Sequence, residues 1–138
     1  MPARKGGGSL QQRFTSIYSR SATKATLLVE REVIGANVGA NGYTTVAQAD
    51  VLAEHLALRR GTRLLDVGAG RGWPGVYLSK QTGCQTTVTD IPEGALRRAV
   101  ALARRQSLRR RCGFVRADAR RLPFRPRTFD AVVHTDVL

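Results

Sequence analysis

Acidic side chains are scarce in this chain: 10 Asp and Glu stand against 23 Lys and Arg, and none occurs before Glu30. Cysteine is scarcer. Cys84 and Cys112 are the only two, and their spacing fits no zinc or redox pattern and builds no disulfide framework. Each precedes an expected strand, so a parallel sheet would bring the thiols near each other as buried, reduced and unreactive groups. No stretch approaches the roughly 20 apolar residues that span a bilayer. The N-terminus lacks the apolar core of a secretory signal. Its acid-free run, with Arg4, Lys5, Arg13, Arg20 and Lys24 among serines, has some transit-peptide character, but the cytoplasm is the expected compartment. With 138 residues there is room for one domain of ordinary size. No internal repeat is present.

What is abundant is arginine, 20 of the 23 basic residues, and the formal charge is +13. Such a balance suits a nucleic-acid or anionic-membrane partner. It also arises from a coding preference for Arg, and along the chain the charge is spread and not blocked.

The chain is organised around Arg63 to Gly75, R-L-L-D-V-G-A-G-R-G-W-P-G. Leu64, Leu65 and Val67 read as a buried strand broken by Asp66. Gly68, Gly70 and Gly72 then supply a turn in which backbone angles forbidden to other residues are allowed and a ligand can lie close to the main chain. A strand, a glycine turn and a helix N-terminus together suit a nucleotide cofactor.

Around that stretch the chain divides into a flexible basic tail (1–9), an N-terminal helical cap (10–60) and a half domain (61–138). Leu10, Phe14, Ile17 and Tyr18 predict a helix to about Arg20, and Leu27 to Val33 a second from about Ala22 to Ile34. The glycine- and asparagine-rich run Gly35–Gly42 reads as a loop, and with Tyr43 it is expected to form part of a mobile lid. Thr44 or Thr45 caps a third helix carrying Val46, Leu52 and Leu58 and closed by Gly61. His55 in it reads as a surface or packed residue. Beyond Gly61 strands and helices alternate. The expected strands are Arg63–Val67, Thr86–Thr89, Gly113–Arg116 and Phe129–His134. The expected helices begin near Trp73 and at Pro92–Glu93. Alternation of this kind means α/β, a Rossmann-like parallel sheet with right-handed crossovers.

Polar residues stand at every strand end, where ligands of such sheets bind. Asp66 and the glycines follow the first strand, Asp90 the second and Asp118 the third. His134, Thr135 and Asp136 follow the fourth. Asp90, 18 residues after Gly72, is placed to accept from ribose hydroxyls. Asp118 can accept from an exocyclic amine, and Ile91 can lie against the face of a base. Singly, each acid is equally well a turn or cap residue. A dinucleotide turn needs a third glycine where this chain has Trp73, which argues against that cofactor class.

The spacing of Asp66, Gly68, Gly70 and Gly72 instead resembles the first motif of class I S-adenosylmethionine-dependent methyltransferases, (D/E)-x-G-x-G-x-G. Three later segments extend the resemblance over residues 61–138: T-V-T-D-I at Thr87–Ile91, R-A-D-A-R-R-L-P-F at Arg116–Phe124 and F-D-A-V-V at Phe129–Val133. It implies S-adenosylmethionine as cofactor. Gly68, Gly70 and Gly72 would leave room for its methionine part and Asp66 would help anchor that end. Asp90 would take the ribose and Asp118 the adenine amine beside the Ala119 backbone, with Ile91 against the base and His134 lining the methionine pocket. No metal is implied. A sulfonium methyl is already activated, so alignment and exclusion of water are the main tasks; His134, Asp136 and Tyr43 are candidates if a base is used.

The resemblance also implies seven strands with the fourth beside the first, whereas four are legible here. A C-terminally truncated methyltransferase with an open apolar edge at Ala131–Val133 is therefore expected. A small-molecule methyl acceptor is the leading expectation, with activity of this piece in doubt and no membrane partner. Twelve arginines between Arg97 and Arg127, against the single acid Asp118, keep nucleic-acid methylation as an alternative. A non-catalytic cofactor-binding remnant is another. Oligomeric state is not legible.

Overall fold

The computed structural model describes residue 12 and residues 23–37 and 43–135. The expected tail, the helix from Leu10 to Arg20 apart from Gln12, most of the Gly35–Gly42 loop and Asp136 lie outside the described residues. Gln12 is helical, and four helices and four strands follow in order among the remaining described residues. They are α1 (Lys24–Ile34), α2 (Val46–His55), β1 (Arg63–Val67), α3 (Gly75–Thr82), β2 (Gln85–Asp90), α4 (Glu93–Arg105), β3 (Cys112–Arg116) and β4 (Ala131–Val133).

Local chemistry sets the boundaries. Thr23 caps α1 by accepting from the Thr26 N–H. Thr45 caps α2 in a reciprocal box with Gln48, each side chain accepting from the other's backbone N–H. This helix ends at His55, earlier than the apolar pattern through Leu58 suggests. Ala57 turns left-handed (φ 48), its N–H donates to Glu54 O and the Leu58 N–H to Ala53 O, and Leu58 is buried. That is a Schellman stop made without glycine. α4 stops in the same way, with Ser107 at φ 57, the Leu108 N–H on Ala103 O and Leu108 buried. Pro92 precedes α4 as its cap and does not enter its first turn. α3 starts at Gly75, two residues later than expected, because Trp73 and Pro74 belong to the turn.

The sheet is wholly parallel in the order β3-β2-β1-β4, so the fold class is α/β as expected. The chain winds from β1 to β3 in one direction and then returns β4 to the other side of β1. The loops after β1 and β4 therefore diverge, which opens a crevice at their carboxyl ends. Register places Leu64, Thr86, Cys112 and Ala131 in one row across the sheet and Asp66, Val88, Phe114 and Val133 in another. Alternation along each strand puts both rows on one face.

Helices cover that face. α4 presents Leu96, Ala99, Leu102 and Ala103 to Val76, Val88 and Cys112. α1 and α2 contribute Ile34 and Ala49 to a core with Leu64, Trp73, Leu78 and Val133, so the N-terminal helices share a core with the sheet. Cys84 and Cys112 are free and buried. Cys84 Sγ lies 3.5 Å from Thr86 Oγ1, whose strand neighbour is Cys112, and burial pushes the Cys112 thiol up. β4 is shorter than Phe129–His134. Among the described residues β1 alone pairs with it, and Val132 is 53% exposed.

Candidate active site

The turn after β1 is built by its neighbours. Gly68, Gly70 and Gly72 all take positive φ, 67°, 54° and 93°, a conformation that L side chains rarely adopt. The Ala69 N–H donates to Thr89 O on β2 at 3.0 Å, and the Gly72 N–H to Ala69 O at 2.9 Å. The Gly70 N–H donates to Asp90 Oδ2 at 2.7 Å, while Asp90 Oδ1 accepts from the Ile91 N–H at 2.7 Å. Asp90 thus locks the turn to the end of β2, and each carboxylate oxygen keeps a further lone pair for a ligand hydroxyl.

Two expected site residues carry packing duties. At Gly72 the side-chain direction is filled: a Cβ there would lie 2.8 Å from Val76 Cγ2 and 3.1 Å from Ala99 Cβ. Its bareness serves the packing of α3 and α4 against the turn. Asp66 does not stand on the open side of the turn. It is fully buried, Oδ2 accepts from the Gly75 N–H at 2.7 Å, and Oδ1 has no hydrogen-bond partner. Burial holds this carboxyl well above the usual carboxylate range; the Gly75 bond opposes that shift and the Asp90 charge adds to it. Asp66 therefore supports the turn from inside, as the acceptor for the first N–H of α3.

Residues passed over in the sequence complete this support. A Cβ on Gly75 would fall 2.5 Å from Asp66 Oδ2 and 3.1 Å from Thr86 Cγ2, so α3 reaches β1 and β2 only through a glycine. Trp73 is buried, its Nε1–H donates to Thr44 O at 2.9 Å, and its ring stacks at 44° on Tyr77 with centroids 5.1 Å apart. The size that rules Trp73 out of a dinucleotide turn is what lets it pin the segment before α2 to the glycine turn. The Tyr77 hydroxyl donates to Asp50 Oδ1 at 2.7 Å. Arg71 is enclosed within the turn.

Asp118 and Ala119 follow β3, beside the end of β2. The Ala117 N–H donates to Asp90 O, and Arg116 Nε donates to Ile91 O at 2.8 Å. Arg120 holds the Asp118 carboxylate through its backbone N–H at 2.9 Å and through Nη2 at 2.6 Å. That hydrogen-bonded guanidinium lowers the Asp118 carboxyl to about 2. This pairing follows from the local run D-A-R, and nothing in the spacing of strand ends pointed to it. His134 is exposed just beyond β4. On the far side of the crevice, Tyr43, Ala47, Val51, Leu52 and Thr135 line an open groove of about 610 Å³, and Tyr43 is 80% exposed. The turn, Asp90, Ile91 and Asp118 thus gather along β1-β2-β3, and Tyr43 joins the β4 side. Among the described residues no cluster of His, Cys, Asp and Glu could hold a metal, and no helix is long and apolar enough to cross a membrane.

Comparison with known proteins bears on this geometry. A family model described as "Methyltransferase domain" matches residues 64–138. The chain is 36% identical over 81 residues to sterol 24-C-methyltransferase ERG6B of Gibberella zeae, covering 59% of this chain and 21% of that protein. It is 36% identical over 88 residues to 27-O-demethylrifamycin SV methyltransferase of Amycolatopsis mediterranei, covering 64% and 32%. A methyltransferase of Geobacter sulfurreducens, solved with S-adenosyl-L-homocysteine, superposes with a TM-score of 0.50 at 28% identity over 54% of this chain and 30% of that one. The chain spans about a fifth to a third of the length of these relatives. With the match covering every strand and the glycine turn, the chain belongs to the methyltransferase-domain family.

Proposed function

We propose that this chain forms the cofactor-holding part of an S-adenosylmethionine-dependent methyltransferase whose acceptor is a small, largely apolar molecule. The observation that carries the reading is the Gly68–Gly70 turn at the carboxyl end of β1, bound through the Gly70 N–H to Asp90 at the end of β2. The residues fit the cofactor. The bare turn admits a ligand against the main chain, Asp90 keeps acceptor capacity for ribose hydroxyls, and Ile91 is part-exposed beside it. Asp118 serves the adenine amine when Arg120 yields one of its bonds, next to the Ala119 backbone. His134 bounds the methionine end from the β4 side. The relative solved with S-adenosyl-L-homocysteine supports the same assignment.

When bound, the cofactor supplies an activated methyl group on a sulfonium. The chain's own task is then to hold and orient: Asp90 positions the nucleoside, Asp66 and Gly75 keep the turn rigid, and Trp73 fixes residues 43–45 beside it. The groove of Tyr43, Ala47, Val51 and Leu52 suits an apolar acceptor. The sterol and rifamycin relatives favour that class. Tyr43 and His134 are the described side chains available to take a proton if the acceptor must lose one. A cytoplasmic setting is supported by two buried, unbridged thiols.

Trp73 is the only tryptophan and reports on the turn directly. Its emission is expected to change saturably with S-adenosylmethionine and S-adenosylhomocysteine and to ignore NAD. A response to NAD alone would overturn the reading.

A further inference from the structure

Arginine is spread along the sequence but not in space. Helices run antiparallel to the strands, so helix C-termini and strand starts share the end of the molecule opposite the glycine turn. Arg59 and Arg60 sit in the turn before β1, Arg104 and Arg105 in the last turn of α4, and Arg109, Arg110 and Arg111 just before β3. The loops carrying them are stitched together. The Gln85 N–H donates to Thr62 O, and the Thr86 N–H donates to Arg111 O at 2.8 Å. A Cβ on Gly83 would lie 3.0 Å from Arg60 Cγ and 3.9 Å from Arg111 Nη1. A hollow of about 490 Å³ opens beside Arg59 and Arg60.

Among the described residues, arginines outside any ion pair are present at both ends, Arg116 and Arg121 near the glycine turn among them, but they are more numerous at the opposite end. Near the glycine turn Arg97 bonds Glu93 and Arg120 bonds Asp118, each at 2.6 Å. At the opposite end the described acids are Glu54 and Asp130; Asp130 is held by Arg63 at 3.2 Å and also feels the charge of Arg59. None of the seven arginines just named forms an ion pair among the described residues, and six of them are exposed. The exposed large apolar side chains described, Leu28, Val29, Val33, Tyr43, Val51 and Val132, lie on α1, on α2 and the segment before it, and on β4, and not on the turns that carry these arginines. Among the described residues those turns expose no large apolar side chain, and the half-buried Phe114 ring is covered by Arg109, whose guanidinium carbon lies 5.6 Å from the ring centroid. They therefore offer neither an apolar wedge for lipid nor an open aromatic platform for unstacked bases. What it presents is a field of guanidinium forks, whose geometry matches phosphate oxygens.

We propose that the end of the sheet opposite the glycine turn is a docking face for duplex nucleic acid, gripped through its phosphates without regard to sequence. The contact anchors the protein and is separate from methyl transfer. It does not depend on the cofactor assignment.

The test is fluorescence anisotropy of the whole chain with a short labelled duplex of mixed sequence, read between about 50 and 200 mM salt. Two triple variants of equal net charge are compared: Arg59→Gln, Arg60→Gln and Arg110→Gln against Arg97→Gln, Arg120→Gln and Arg121→Gln. The first is expected to weaken binding by at least ~10-fold and to flatten the salt dependence by about 0.9 for each phosphate it no longer neutralises. The second stays near wild type. Arg110→Gln and Arg110→Lys alone give the same comparison if the triple variant unfolds, the lysine keeping the slope and the glutamine losing it. Equal weakening by both triples, tighter binding of a single strand than of the duplex, or binding only to phosphatidylserine vesicles would each overturn the proposal.

Discussion

The backbone N–H of Gly70 and the carboxylate of Asp90 meet at 2.7 Å, and that bond ties the loop after the first strand to the end of the second. It makes one acidic side chain both a structural strut and the acceptor facing the crevice. The residues behind it, Asp66 and Gly75, then determine how firmly the strut is held.

Gly75→Ala should be among the more damaging single-methyl additions in the chain. Its Cβ would meet Asp66 Oδ2 at 2.5 Å and Thr86 Cγ2 at 3.1 Å, both buried. Overpacking of this kind costs about 1–3 kcal/mol. Gly61→Ala makes the contrast: nothing lies within 4 Å, and only its φ of +87 is at stake. Urea unfolding of the two variants checks the order, with Gly75→Ala expected to lower the midpoint more.

Asp66 is expected to set a pH dependence of stability. Burial raises its folded carboxyl well above the ordinary value, so the native state holds a proton that the unfolded chain releases first. Its contribution is fully present below the unfolded value and is lost as pH rises through the folded one. Asp66→Asn removes that ionisation and keeps an acceptor for Gly75. The variant should match wild type in acid and exceed it at neutral pH, as read from urea midpoints across the range.

Tyr77 should titrate late. Burial and the bond to Asp50 push its hydroxyl up to about 12. Ultraviolet titration should show a late phenolate step that Tyr77→Phe abolishes. Because the folded value is raised, this residue's contribution to stability holds below the ordinary tyrosine value and fades as pH rises toward about 12.

Trp73→Phe keeps the buried ring and removes the Nε1–H bond to Thr44 O. A loss of about 0.5–1.5 kcal/mol is expected for one hydrogen bond. Faster hydrogen exchange should be confined to residues 43–48 and the adjoining turn.

Much of this was legible in the residues alone, for a physical reason. Buried parallel strands ending in Asp66, Asp90 and Asp118 announce themselves by where an apolar run stops. The glycine spacing of 68, 70 and 72 announces a turn. What such spacing does not carry is which way a missing side chain would have pointed. Gly72 and Gly75 are both needed for helix packing, and that depends on α4 bringing Ala99 against the turn and β2 bringing Thr86 beneath α3. The resemblance implies Asp66 as an anchor of the methionine end, and spacing alone does not show its burial, which follows from the register that points it with Val88 and Val133 toward the helices. The stops at Ala57 and Ser107 hid because neither is glycine. The gathering of arginines at one end is a property of the crossovers and is invisible along the chain.

The central claim is that Asp90 holds the nucleoside of the cofactor. Calorimetric titration of wild type and Asp90→Ala with S-adenosylhomocysteine tests it most directly, once circular dichroism shows that both are folded. Saturable binding that weakens by at least ~10-fold, about 1.4 kcal/mol, in the variant is the predicted result. Measurable binding with the same affinity in both proteins would contradict it.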